Sequence, residues 1–179
     1  SPDIVFHLAA QPLVRESYIK TIETFNTNVI GTLNVLESCK NLDTNVNFIC
    51  ITTDKCYENN EFGERFIESD PMGGKDPYSA SKACTEILTK SHALSFNALK
   101  LCTARAGNII GGGDWAKDRI ITDIVESIEH TKDIVLRSPN AIRPWQHVID
   151  VVNGYLKLAI YNDCCLLYTS DAADDALSV

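Results

Sequence analysis

Apolar residues fall in short runs separated by longer amphipathic or polar stretches. Ile4-Val5-Phe6-His7-Leu8 is the first run and reads as a buried strand. Ala9-Ala10-Gln11-Pro12 breaks it as a loop. From Thr21 to Cys39 the period becomes helical, with Ile22, Phe25, Val29, Leu33 and Leu36 on one face. Asn47 to Thr52 is apolar and β-branched, a second buried strand. A polar stretch rich in Glu, Asn, Gly and Asp follows over residues 54–76. Asp76-Pro77 is a helix start, Asp as cap and Pro in the first turn, and predicts a helix over Pro77–Ser95. Leu99–Ala104 reads as a third strand and Gly107–Asp114 as a glycine-rich loop. Asp118–His130 reads as a helix, Ile134–Arg137 as a short strand and Val148–Tyr161 as a last helix. Strand and helix alternate and the strands are apolar, which predicts an α/β fold with a doubly wound parallel sheet covered on both faces.

Composition narrows the classes. The 179 residues suffice for one domain with a real core. A hydrophobic share of 45% and a charged share of 22% belong to a globular chain, not a disordered one. Sixteen Lys and Arg against 24 Asp and Glu leave a net charge of −8, which argues against nucleic-acid binding. No apolar run is long enough for a membrane helix, and no signal-peptide pattern opens the chain. Seven cysteines in that setting read as reduced thiols and point to the cytoplasm. They show no zinc-type spacing, so no metal site is expected. Cys165–Asp175 (CLLYTSDAADD) looks like a translated sequencing adapter, so residues 164–179 are set aside as a non-native tail.

Two clusters carry chemistry. Tyr78 and Lys82 stand four apart, on one face of the predicted helix. An ammonium beside a phenol favours phenolate and is expected to bring Tyr78 toward neutrality, making a general base. The same spacing also arises in simple surface pairs. Thr53-Asp54-Lys55 ends the second strand, the edge at which open α/β sheets bind ligands. A hydroxyl, a carboxylate and an ammonium there form a possible acid/base set, or an ordinary polar turn.

Several further segments complete a pattern. They are His7-Leu8-Ala9-Ala10-Gln11, Asn28-Val29-Ile30-Gly31-Thr32, Tyr78-Ser79-Ala80-Ser81-Lys82, Arg105-Ala106-Gly107-Asn108, Gly111-Gly112-Gly113-Asp114-Trp115 and Arg143-Pro144-Trp145-Gln146-His147-Val148. With Thr53–Asn59, they make the chain resemble the extended short-chain dehydrogenase/reductases (the NAD-dependent epimerases and dehydratases). Within that family it resembles the 4,6-dehydratases that act on nucleotide sugars, CDP-glucose among them. The Asp54-Lys55 pair, where related dehydratases usually carry Asp-Glu, is the more specific mark.

The resemblance implies a Rossmann-type fold, an NAD cofactor, a nucleotide-sugar substrate and a homodimer through helices 21–39 and 77–95. It implies that Tyr78 takes the sugar C4 hydroxyl proton as hydride passes to NAD⁺, and that Lys82 holds the cofactor ribose and tunes Tyr78. Thr53 would bind the C4 oxygen, Asp54 would protonate the departing C6 hydroxyl, and Lys55 would assist removal of the C5 proton. Leu8, Ala9, Ala10 and Ala106 would line the cofactor, together with Tyr78 and Lys82. Asn108, Arg119 and Arg143 would bind the diphosphate.

No G-x-G-x-x-G turn occurs in the sequence. By the resemblance, the strands that carry it precede Ser1. Residues 1–110 are then read as the C-terminal part of the cofactor-binding domain, 111–163 as a partial substrate region and 164–179 as the tail. The polypeptide by itself is expected to be inactive and to bind NAD weakly. The alternatives are another NAD-dependent nucleotide-sugar dehydratase or 4-epimerase of the same superfamily, or a non-catalytic remnant that only binds NAD.

Overall fold

The computed structural model describes residues 1–42, 45–59, 66–96, 98–136, 139–141, 143–161 and 167–169. Three apolar runs become the strands β1 (Ile4–His7), β2 (Val46–Thr53) and β3 (Leu99–Ala106). They pair in parallel, with β2 in the middle: His7 lies beside Cys50, and Thr53 beside Ala106. A short strand, β6 (Leu167–Thr169), adds to β3 in parallel. It lies in the stretch where the sequence reading placed no element.

The pleat sends alternate residues of β2 to opposite sides. Phe48 and Cys50 meet Leu101 of β3, together with Leu36 and Cys39 of helix α3 (Gly31–Lys40). Ile49 instead packs with Ala104 and with Ala159 of helix α6 (Val148–Tyr161). The sheet is thus covered on both faces, as its apolar strands require.

Between β1 and α3 the chain runs through α1 (Val14–Ile19), α2 (Thr21–Phe25) and one wide π turn at Asn26–Ile30. The sequence reading puts Ile22, Phe25, Val29, Leu33 and Leu36 on one apolar face, free to pack on the sheet or in a dimer. Only Leu36 of these is fully buried, and Ile22 is 78% exposed. The inward stripe is Thr24, Asn28, Thr32, Leu36 and Cys39. Its polar members are satisfied by side-chain hydrogen bonds, which removes the penalty on burying them. The neighbour they face is α4 (Pro77–Ser95), whose own inward face is rich in small hydroxylated residues.

Helix α4 starts as its sequence predicts. The Asp76 carboxylate accepts from the Ser79 N–H at 2.9 Å and from the Ser79 hydroxyl at 2.6 Å, and Pro77 fills the first turn. Two expectations fail beyond β3. The glycine-rich stretch contains a strand, β4 (Asn108–Ile110), paired in parallel with β5 (Trp145–His147). Gly107 permits this, since a Cβ there would lie 2.7 Å from Pro144 Cγ. Residues Ile134–Leu136 form no strand, and Arg137 lies outside the described residues. Helix α5 (Ile120–Glu129) begins two residues later than expected. Among the described residues, no helix is long and apolar enough to cross a membrane, and no His/Cys/Asp/Glu cluster could hold a metal.

Candidate active site

The C-terminal ends of β2 and β3 and the first turns of α4 converge. Thr53 ends β2 and opens a tight turn, Asp54–Cys56, in which its hydroxyl accepts from the Lys55 N–H at 3.4 Å and donates to Asp54 Oδ1 at 3.1 Å. That turn leaves Asp54 half-buried and Lys55 exposed. Tyr78, in the first turn of α4, is 8% exposed, and its N–H donates to the buried Ser17 hydroxyl at 3.1 Å. Thr53, Asp54 and Tyr78 therefore meet, and Lys55 flanks them at the rim.

Burial pushes the Tyr78 phenol up to about 12. The Thr53 hydroxyl and the Arg119 guanidinium pull it down, while Asp54 and Asp76 push it further up. This overturns the expectation that Lys82 brings the phenol toward neutrality. Desolvation of the phenolate outweighs the Thr53 hydrogen bond and the Arg119 charge. Lys82 is itself buried, which lowers its pKa, and its Nζ donates to the Ile51 carbonyl at 3.1 Å. That bond fixes the ammonium against the backbone of β2, two residues before Thr53.

A chain of hydrogen bonds locks α4 to the π turn. Asn28 Nδ2 donates to the Ser81 hydroxyl at 2.8 Å, which in turn donates to the Tyr78 carbonyl at 2.7 Å. The Thr85 hydroxyl donates to the Asn28 carbonyl at 2.9 Å. Asn28 also accepts from the Gln11 N–H at 2.8 Å, holding the loop that follows β1. His7 fits the same lattice. The Thr32 hydroxyl gives its only proton to the Asn28 carbonyl at 2.6 Å. His7 Nε2, 2.9 Å from that hydroxyl, must then be the donor, so the neutral ring carries its proton on Nε2.

Ala106 is buried at the end of β3, while Leu8 and Ala9 are exposed and Ala10 is half-buried past the end of β1. Asn108 lies opposite Trp145 on the β4–β5 ladder and its N–H donates to Pro144 O at 3.0 Å, next in the chain to the exposed Arg143. Arg119 stands apart at the start of α5, paired with Asp114 at 2.9 Å, and its charge reaches Tyr78. A second pair, Arg15 with Asp118 at 2.7 Å, ties α1 to the segment before α5. Sequence reasoning missed Ser17 and Glu86, and it quoted Gln11, Asn28 and Arg105 only within matching segments, with no role assigned. Of these, Glu86 left a readable signal, four residues past Lys82 on the same helix face.

The chain is similar to known proteins. A 48% identical relative, CDP-glucose 4,6-dehydratase of Salmonella typhimurium, aligns over 88% of this chain and 46% of its own length. The dTDP-D-glucose 4,6-dehydratase of Dictyostelium discoideum is 30% identical over 86% of this chain and 37% of its own. The chain thus spans less than half the length of these curated relatives. Among solved structures, the UDP-glucose 4-epimerase of Thermus thermophilus in complex with NAD superposes with a TM-score of 0.82 at 25% identity, covering 94% of this chain and 56% of that one. The profile of the NAD dependent epimerase/dehydratase family matches residues 1–163, and the chain belongs to that family.

Proposed function

We propose that the chain forms the catalytic half of a CDP-glucose 4,6-dehydratase, which converts CDP-glucose to CDP-4-keto-6-deoxyglucose and water. The observation that carries this reading is the meeting of Thr53, Asp54 and Tyr78 at one strand end, with Lys82 anchored beneath them. The 48% identity to the Salmonella enzyme supports the choice of substrate.

The residues fit the nicotinamide-ribose end of NAD. Lys82 uses one of its three N–H donors on Ile51 O and keeps two for ribose hydroxyls. Ala9, Ala10 and Ala106 leave room for a flat ring. When bound, NAD⁺ would supply a hydride acceptor for the sugar C4 carbon and would return that hydride to C6 once water has left, so the cofactor is regenerated. Thr53 holds the C4 oxygen, and Tyr78 takes its proton. The Tyr78 phenol is protonated at neutral pH in the structure as it stands, so its service as a base requires bound positive charge to lower its pKa. Asp54 delivers a proton to the departing C6 hydroxyl, and Lys55, exposed at the rim, assists loss of the C5 proton. Asn108, Arg119 and Arg143 bind the diphosphate. Arg119 exchanges Asp114 for phosphate oxygens, a planar fork suited to either anion.

A 4-epimerase needs Tyr78 and Lys82 but not the Asp54-Lys55 pair, which favours dehydration. The homodimer through helices 21–39 and 77–95 is supported by exposed apolar side chains on both: Ile22 is 78% and Leu94 72% exposed. The test is incubation of the protein that carries this chain with CDP-glucose and NAD⁺. A product absorbing in alkali, as a 4-keto-6-deoxy sugar does, supports dehydration. An epimer without that absorbance supports the second reading, and no turnover overturns both.

A further inference from the structure

The face of α4 that carries Tyr78 and Lys82 carries Glu86 one turn further on. Glu86 is 2% exposed. The Thr52 hydroxyl donates to its Oε1, the Thr103 hydroxyl donates to its Oε2 at 2.9 Å, and Arg105 Nη2 donates to Oε2 at 3.1 Å. Arg105 reaches the other way as well. Its Nη1 donates to the Glu68 carbonyl at 3.3 Å, and its guanidinium lies 4.6 Å from the centre of the Tyr57 ring. Tyr57 closes the turn that carries Asp54 and stacks on Phe66 at 4.7 Å.

One carboxylate therefore holds the residue before Thr53 and the residue before Ala106. Through Arg105 it also holds the turn that bears Asp54. A buried ion pair is a poor source of stability, since desolvation consumes most of its Coulomb gain. Its place, bracketing every strand end of the site, argues for a different role.

We propose that Glu86 is a positioning residue for the site, fixing α4 against the ends of β2 and β3 and, through Arg105, the Asp54 turn. The assignment rests on the catalytic reading above. It has an electrostatic side too. The Lys82 ammonium is disfavoured by burial, and Glu86 opposes that along with Cys50 on β2 and Cys56 in the turn. His7 on β1 feels the Lys82 charge in turn. A neutral residue of the same shape at position 86 lets the Lys82 pKa fall further.

The test is Glu86→Gln in the protein that carries this chain. The expected result is a fall in kcat of at least about tenfold with little change in KM, because misplacement acts on the reacting geometry. The alkaline limb of the kcat profile moves to lower pH, by at least about half a unit. Arg105→Lys, which leaves the Glu86 charge in place, lowers kcat without moving that limb. A kcat loss that merely follows a lower Tm, with the limb unmoved, overturns the proposal. Should Glu86→Gln fail to fold, Thr103→Val removes a single donor to the carboxylate, and an unchanged kcat in that folded variant overturns it as well. Nitrogen NMR of the Lys82 ammonium needs no turnover and separates this proposal from the functional one. A Lys82 titration identical in wild type and Glu86→Gln overturns the proposal even where the dehydratase assay succeeds. A shifted titration sustains it even where that assay fails.

Discussion

Tyr78 concentrates the chemistry in one side chain, and burial sets its state. Its phenol stands near 12, so it is a neutral hydrogen-bonding group at physiological pH. Tyr78→Phe keeps the ring and removes the hydroxyl. Turnover should fall by about 10² to 10⁴, the usual worth of a positioned proton-transfer group. The same substitution has a stability signature. The folded pKa of Tyr78 lies above its unfolded value, so its contribution is complete below pH 10 and is lost as pH rises toward 12. Phenylalanine has no such loss. Relative to wild type, the variant therefore gains stability across that window, by at most about 3 kcal/mol. Denaturant unfolding at pH 9 and at values above pH 10 where both proteins still fold measures it, and a difference between the two proteins that does not change with pH refutes the assignment.

At the scale of the element, α4 was legible because its signals are local. Asp76, Pro77 and the Tyr78/Lys82 spacing are all read within a few residues. Asp76→Ala removes both bonds to Ser79 and should cost about 1 kcal/mol. In a chain of this size that is a Tm fall of about 2–4 °C, measurable by calorimetry, and an unchanged Tm would show the cap to be idle. The strands β1, β2 and β3 were legible for a similar reason, since a strand buried on both faces is apolar throughout. The helical stretch 21–39 was placed correctly with its one apolar face, but the stripe it buries is a different one. Periodicity marks apolar residues for burial, yet Thr24 and Thr32 are inside, bonded to Gln11 and His7, and Asn28 is inside because α4 offers it the Ser81 and Thr85 hydroxyls. The pairing of Asn28 with α4 spans more than fifty residues of sequence, and no local pattern reports it. The strands β4 and β5 escaped for a related reason. Each is three residues long and exists only because the other lies beside it. Of the site, Thr53, Asp54, Tyr78 and Lys82 were named in advance. Glu86 was not, and Arg105 stood only in a matching segment with no role assigned, because a buried pair looks like two surface charges until the fold brings them together.

Across the whole molecule, the buried acids that ionise at high pH share one direction. Burial raises Cys50 and Cys56 from 9.0 to about 12, and Tyr57, Tyr78 and Tyr155 from 10.0 to about 12. In each case the native state holds its proton more tightly than the unfolded chain does. Stability is thus intact below pH 9 and falls as pH climbs through 9 to 12, at about 1.4 kcal/mol per unit for each group in its window. By about pH 11 the five together approach 10 kcal/mol, comparable with the entire stability of a domain. The chain should therefore unfold cooperatively inside this interval, before any buried phenol ionises in the folded state. Phenolate absorbance and the helical circular dichroism signal, followed in one alkaline titration, should change together for the buried tyrosines and reverse together on return to neutrality. A gradual rise in phenolate by the full count of tyrosines, with the helical signal intact, would mean that the ends of β2 and β3 and the first turns of α4 admit water. The dry setting that holds Tyr78 neutral, and with it the need for bound charge to activate the residue, would then be lost.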